Sequence, residues 1–520
     1  MRQPTYLAAR RATMFIPWSA IVMPVAALLF FGVSLWRLSA PPLWWDEGWT
    51  LTVARTWVEH GHYGRLQNGQ LVPGGLEAAF PTTASVALSF KLFGVGVWQG
   101  RLPGVLYTLG ALAMLYTLVQ RLYNQRIALA TLGVLLLMSM HPDLHPLTMG
   151  RQVLAEMPML FFLLSGYLAL LVALNHSRWY VVISILCWGT ALITKAQALP
   201  FWAASLLLPS FVALVGRRWS LAGLLGLGFV GGLTLWSVLP TVIVTLLNGH
   251  SLQVQTLTGL YEVTAFVTAA RNRILALQIL LIAGLPTVLG LCYVAWQFVT
   301  KECIKLAKPE MIVRLSMLVL AGSWCAWYGL LSLGVPRYLF PALFLSGMFT
   351  AVLLHDLTMQ FNFAATLERM ASILRFRQWS AGTAGAWLAV LLVCLTAPLT
   401  LQMLQTNYIL NSDMSAQQVV AYLHSHTRND ALIETYHSEL FLFLNRPYHY
   451  PPDQFHVALL RKAVYGDAPA VTYDPLDADP DYLVVQTQKQ DWRPYDAVLA
   501  TGAFRLLQRV GPYDVYQRLR

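Results

Sequence analysis

Charge is scarce in this sequence. Asp, Glu, Lys and Arg make up 11% of its 520 residues, and 57% are hydrophobic; an ordinary soluble domain is about a quarter charged. A chain so poor in polar groups cannot cover a water-exposed surface. Soluble enzymes, disordered scaffolds and nucleic-acid-binding proteins are therefore excluded. The net charge of +11 is no nucleic-acid signature, because the charges sit in short turns between apolar runs. Cysteine is scarce too. Cys187, Cys292, Cys303, Cys325 and Cys394 lie in or beside apolar runs and none follows them, so there is neither a disulfide framework nor a metal-type cysteine pattern. Acids are few in the long first part: residues 1–400 hold 25 Lys or Arg against 11 Asp or Glu, whereas 401–520 hold 10 against 13. That division marks a membrane body, residues 1–401, and a mildly acidic soluble domain, residues 402–520.

Apolar runs are what the chain has in abundance. A membrane helix needs about 20 apolar residues to cross a hydrocarbon layer of about 30 Å. Eleven stretches are candidates, the third, fifth and sixth of them short or sharing a break: 15–36, 101–120, 127–140, 157–174, 179–195, 198–215, 220–247, 274–299, 315–333, 338–355 and 381–401. The expected fold class is mainly α, a polytopic transmembrane helical bundle of about 11 spans with a small C-terminal α/β domain. The first stretch lacks a small-x-small cleavage site with suitable flanks and reads as an uncleaved anchor. With a cytoplasmic N-terminus, the short cytoplasmic connections hold 15 basic residues and the longer opposite loops hold 10, as the positive-inside rule requires. Eleven spans then place residues 402–520 outside. There Ala416–His426 reads as a helix, Ala431–Thr435, Tyr482–Gln486 and Tyr513–Leu519 as strands, and Pro447–Asp453 as a turn-rich linker. The expected location is the cell membrane, with the site and the C-terminal domain extracytoplasmic.

Three outer loops carry candidate chemistry. The first, about 37–100, opens with Pro41-Pro42-Leu43-Trp44-Trp45-Asp46-Glu47-Gly48-Trp49 and runs helix-like through His60. Its tryptophans suit a helix lying in the membrane interface. Asp46 and Glu47 then fall in the first turn and point in different directions. A carboxylate beside indoles loses hydration, which improves it as a general base; acids at a helix start also simply complement the dipole. The second loop reads His141-Pro142-Asp143-Leu144-His145-Pro146, then Arg151 and Glu156. Glu156 stands at the mouth of a span, where ionisable groups usually have a partner or a task. The His-Pro-Asp-x-His-Pro run suits a rigid turn with hydrogen-bonded histidines first and contact with substrate second; a metal site comes last, for the run lacks an evident fourth ligand. The third loop, about 248–273, closes with Arg271 and Arg273. Lys195 ends the fifth span and Arg337-Tyr338 lies in the turn between the ninth and tenth. Each cation alone reads as an interface anchor; together they place positive charge where a lipid phosphate would sit.

The order of these motifs resembles the integral-membrane GT-C glycosyltransferases, in the branch of protein O-mannosyltransferases and the lipid A aminoarabinose transferase. The resemblance runs over about residues 1–400. It rests on Trp45-Asp46-Glu47, Ala79-Phe80-Pro81, Leu92-Phe93-Gly94, Arg101-Leu102-Pro103-Gly104, Arg151-x4-Glu156-x-Pro158, Leu192-Ile193-Thr194-Lys195 and Arg337-Tyr338-Leu339-Phe340-Pro341. It implies a GT-C type bundle and an enzyme that moves a sugar from a polyprenyl-phosphate donor to an acceptor hydroxyl, with inversion, on the extracytoplasmic face. It further implies Asp46 as general base, Glu47 as a group that positions Asp46 or binds acceptor, and Glu156 as a second acid. Lys195, Arg271, Arg273 and Arg337 would hold the leaving phosphate, with Arg151 and Tyr338 in the substrate-binding set. The chain departs from its relatives at Phe80-Pro81-Thr82, where they often have His-Pro-Pro. A sugar or metal contact by that histidine would be absent or fall to another residue, such as His60 or His62. A monophosphate leaving group needs a divalent metal less than a diphosphate would, so a divalent metal is expected to be optional and no other cofactor is implied. The implied partners are the lipid-linked donor and a lipid, protein or glycan acceptor.

Two other classes compete. A transporter or lipid flippase would show an inverted repeat, broken helices in pairs and acids at the bilayer midplane; no repeat of motif order is present, and the ionisable residues gather at span boundaries. A sensor whose C-terminal part does the work has no need of eleven spans.

Overall fold

A computed structural model describes residues 18–72, 74–248, 257–302, 308–376, 380–410, 413–467, 471, 473–487 and 494–520. Arg2, Arg10, Arg11, Lys305 and Arg377 of the orientation argument, Cys303, the start of the first span and part of the third loop lie outside them.

The helices are α1 (Trp18–Leu35), α2 (Trp45–His60), α3 (Phe80–Phe93), α4 (Val97–Leu122), α5 (Gln125–Leu137), α6 (Pro146–Met149), α7 (Glu156–Asn175), α8 (Tyr180–Thr194), α9 (Leu199–Val215), α10 (Trp219–Asn248), α11 (Leu260–Thr264), α12 (Ala270–Ile282), α13 (Leu285–Gln297), α14 (Pro309–Leu331), α15 (Pro336–Leu357), α16 (Phe363–Phe376), α17 (Ala381–Leu404), α18 (Ser415–His426), α19 (Asp453–Tyr465) and α20 (Asp496–Ala500). Among the described residues, seven helices are long and apolar enough to cross a membrane, or eight if the pair α12–α13 counts as one span. Three more apolar helices are shorter: Val25–Leu35, α5 and α8. The eighth expected span is broken, with α12 and α13 bent by 79°. The cause is local: Gly284 precedes Pro286, and proline in the new first turn lacks an N–H and can open a helix but not continue one.

The core is helical and one-sided in its centre of gravity. Every residue of α15 from Leu339 to Leu354 is buried, and the helix packs against α5, α13 and α14. A helix apolar all round belongs in such a place. The first loop holds more structure than its composition advertises. After α2 come an antiparallel hairpin, β1 (Arg65–Gln67) with β2 (Gln70–Val72), and then α3, which packs on α2 and α4.

The last part contains a five-stranded sheet in the order β4-β3-β5-β7-β6, from β3 (Ile433–Thr435), β4 (Tyr448–His449), β5 (Tyr482–Gln486), β6 (Phe504–Val510) and β7 (Tyr513–Arg518). β3 is parallel to β4 and β5, and β7 is antiparallel to β5 and β6. The expected linker Pro447–Asp453 thus supplies an edge strand and the start of α19. This sheet does not stand apart from the first loop. Trp49 of α2, 1% exposed, lies in one apolar cluster with Ile433, Phe441, Tyr448, Val484 and Val515. Arg65 of the hairpin pairs with Glu77 at 2.6 Å and with Asp453 of α19 at 2.9 Å. Gly48 is required where the two parts meet, because a Cβ there would come 2.2 Å from the backbone of Ser438.

Candidate active site

The prolines before α2 stop any helix running in from α1, and the first turn of α2 is then closed by its own side chain: the Glu47 carboxylate accepts the Trp44 N–H at 2.8 Å, the geometry of a capped N-terminus. Successive residues on a helix diverge by about 100°, so Asp46 and Glu47 leave the same turn for different surroundings.

Glu47 goes inward. It is fully buried, and Arg101 of α4 grips it from Nε and Nη2, both at 2.9 Å. The Val153 N–H donates to Oε1 at 3.0 Å. Arg101 in turn donates to the carbonyls of Leu38, Pro41 and Pro42. Each oxygen of Glu47 accepts two hydrogen bonds, which leaves no lone pair for a substrate. The geometry replaces the reading of Glu47 as an acceptor-binding group with one of a latch between α2, α4 and the second loop.

Asp46 goes toward a cluster of charge. It pairs with Arg337 at the start of α15, and the two side chains remain 23% and 19% exposed. Arg337 also feels Glu156. Glu156, the first residue of α7, pairs with Lys195 Nζ at 2.5 Å; Lys195 stays 16% exposed. Both cations lie near the ring of Tyr338, 5.4 Å for the Arg337 guanidinium and 5.6 Å for the Lys195 ammonium. Asp143 of the second loop faces the same charges, Arg337 and Glu156, and its burial raises its pKa. From the C-terminal part, Tyr436 and His456 lie within reach of the Asp46 charge. The cluster sits at the end of the bundle where α7, α9 and α15 begin and α8 and α14 finish.

The other expected residues lie elsewhere. Arg151 is buried and donates to the carbonyls of Trp36 and Arg37 while its guanidinium covers the Tyr408 ring at 4.0 Å. It anchors the end of the first span rather than facing the cluster. Arg271 is exposed at the start of α12. Arg273 reaches the Gly329 carbonyl at 3.4 Å, and its Nε and Nη2 are buried without a hydrogen-bond partner among the described residues. His60 and His62 line a cavity of about 580 Å³ between α2, the hairpin and residues 441–448, at the far end of α2 from Asp46.

The histidines of the second loop are engaged locally. The His145 Nδ1 accepts the Leu147 N–H at 3.1 Å and its Nε2 meets the Leu136 carbonyl at 3.2 Å, so neither nitrogen is free to ligate. His141 Nδ1 accepts the Asp143 N–H. Among the described residues, no group of three or more His, Cys, Asp or Glu side chains is arranged to hold an ion. The sequence offered Asp143 only as part of the His-Pro-Asp-x-His-Pro run, and Tyr436 and His456 were passed over. No local pattern marks either, since each meets α2 across about 390 residues of chain.

With the geometry in view, likenesses to known proteins can be placed. The family model described as dolichyl-phosphate-mannose-protein mannosyltransferase matches residues 82–244. No curated protein matches the chain in sequence. Among solved structures, ArnT from Cupriavidus metallidurans bound to undecaprenyl phosphate is similar with a TM-score of 0.63 at 15% identity, over 96% of this chain and 98% of that one. The Archaeoglobus fulgidus oligosaccharyltransferase AglB, in complex with an inhibitory peptide and a dolichol-phosphate, is similar with a TM-score of 0.56 at 12% identity, over 97% and 74%. The same enzyme in its apo form gives 0.56 at 13%, over 91% and 70%. The architecture is the GT-C fold of a multi-pass membrane protein.

Proposed function

We propose that this GT-C chain is a glycosyltransferase that moves a sugar from a polyprenyl-phosphate donor to an acceptor hydroxyl, with inversion, on the extracytoplasmic side of the cell membrane. The observation that carries the reading is the convergence of Asp46, Asp143, Glu156, Lys195 and Arg337 from five separate stretches of chain. The family model and the ligands named for the two solved relatives support a lipid-linked donor. The eleven-span topology, with residues 402–520 outside, belongs to the same proposal.

Each side chain has a task in this reaction. The donor phosphate lies between Arg337 and Lys195, whose charges stabilise the dianion that leaves. Both cations are already paired within the fold, Arg337 with Asp46 and Lys195 with Glu156. The phosphate draws Arg337 toward itself and frees Asp46 to take the acceptor proton. The acceptor oxygen then attacks the anomeric carbon from the face opposite the phosphate. The carbon–phosphate-oxygen bond breaks as the new carbon–oxygen bond forms, and charge builds on the phosphate as the sugar passes through an oxocarbenium-like state. Glu156 keeps Lys195 in place, and Tyr338 offers its ring to both cations. Arg271 and Arg273, in the first turn of α12, would serve as secondary contacts for a charged headgroup.

Purified protein should carry a sugar-loaded polyprenyl phosphate that mass spectrometry detects, and binding of added undecaprenyl phosphate should weaken when Lys195 and Arg337 are both neutralised. Transfer by Asp46→Asn at the unaltered rate overturns the base assignment. For topology, a cysteine placed at Asp479 should react with an impermeant thiol reagent on intact cells; labelling only after lysis reverses the orientation.

A further inference from the structure

The C-terminal part touches the proposed centre through a small aromatic assembly. His456 of α19 stacks on Trp45, ring centres 4.8 Å apart and planes 14° from parallel. Its Nδ1 shares a hydrogen bond with the Tyr436 hydroxyl. Trp45 Nε1 donates to the Tyr436 carbonyl at 2.8 Å, and the Ser438 hydroxyl donates to the Trp45 carbonyl. With Gly48 pressed on Ser438, residues 436–439 and 456 clamp the first turn of α2 on both sides of Asp46. Trp45 is the residue before Asp46, so holding its ring and its backbone carbonyl against residues 436–438 fixes the direction in which Asp46 leaves the turn.

We propose that His456 is a positioning residue of the transfer reaction: stacked on Trp45 and tied to Tyr436, it fixes the turn that presents Asp46 to Arg337. The proposal rests on the glycosyltransferase reading above. It explains why an imidazole stands there. Burial pushes the His456 pKa down to about 4, against the pull of Asp46, so the ring is neutral at working pH. A neutral ring holds the turn without competing with Arg337 for the carboxylate, as a lysine would. Catalytic groups misplaced by about 1 Å lose on the order of a hundredfold in rate, which makes a single stack worth building.

The test uses the full chain in detergent, with undecaprenyl-phosphate-linked mannose as donor probe. His456→Phe keeps a flat ring on Trp45 and loses the bond to Tyr436; His456→Gln keeps a hydrogen-bonding group and loses the stack. Both should lower kcat by about tenfold to a hundredfold with the donor KM and the melting temperature unchanged. Unchanged kcat in both variants overturns the proposal, as does a loss of kcat that merely follows a lower melting temperature. A second readout needs no turnover. In protein labelled with 15N-histidine, Asp46→Asn should move the ring resonance that His456→Gln deletes; a resonance that stays put overturns the proposal. If wild-type protein releases no undecaprenyl phosphate from this probe, the failure belongs to the transferase reading for that donor, and the resonance alone decides the positioning role.

Discussion

Asp46 and Glu47 are neighbours of the same charge on the same helical turn, yet they end in two regions that work in opposite ways. Around Glu47 the fold has closed completely: two oxygens accept four hydrogen bonds and no water reaches them. Around Asp46 the fold stays open, with about a fifth of each side chain exposed and Arg337 as its ion-pair partner. A saturated buried pair cannot change partners without leaving a charge stranded in low dielectric. A half-exposed pair can, because water and an incoming anion take up what each side lets go. The comparison teaches that a carboxylate is available for chemistry where its surroundings are incomplete.

The contrast can be broken from either side. The largest effect expected is from Asp46→Asn, which should cut turnover by about 10²–10⁴-fold while the melting temperature holds, read by donor consumption beside thermal unfolding. Glu47→Ala should do the reverse in kind: stability falls by about 3–5 kcal/mol, the cost of leaving Arg101 charged and unpaired, measured by thermal unfolding in detergent. A melting temperature that drops for Asp46→Asn and holds for Glu47→Ala would invert the comparison.

His145 sharpens it with pH. Burial lowers its pKa from 6.5 to about 4, so it is neutral in the fold. As pH falls below 6.5 the unfolded chain takes up this proton and the folded chain does not, until near pH 4. The contribution is whole above pH 6.5 and is lost progressively down to pH 4, by up to about 3 kcal/mol. His145→Gln should flatten that part of the stability profile. Smallest is Lys195→Gln, which removes one charge-assisted contact and should weaken binding of undecaprenyl phosphate by about 1.5–3 kcal/mol, read by titration. Little change there would move the phosphate away from Lys195.

Much of the molecule was legible because helix-period burial in lipid needs long apolar runs, and these are counted directly. Seven of the expected spans meet helices long and apolar enough to cross a membrane, the eighth meets the bent pair α12–α13, and the first, third and fifth meet shorter helices; the capping order Pro41-Pro42 to Glu47 places α2 correctly. The gathering of Lys195, Glu156, Arg337 and Asp46 at one end followed from span boundaries alone. What could not be read were the elements that owe their form to neighbours. α3 has no side-chain N-cap to announce its start, β4 is a two-residue strand, and the break at Gly284–Pro286 lies inside an unbroken apolar run. Arg151 and Glu156 share one motif, yet Arg151 turns back to the first span and Glu156 turns to Lys195, because a bent loop carries no periodicity to say which way a side chain faces.

The sequence by itself determined that this is a membrane bundle with charge collected at the helix ends, since the cost of burying ions in hydrocarbon forbids most other placements. Tertiary structure alone decided which of two adjacent acids is sealed and which is left open, and that a histidine about 400 residues away backs the open one. Those choices depend on which surfaces come together, and contacts across that distance have no local code.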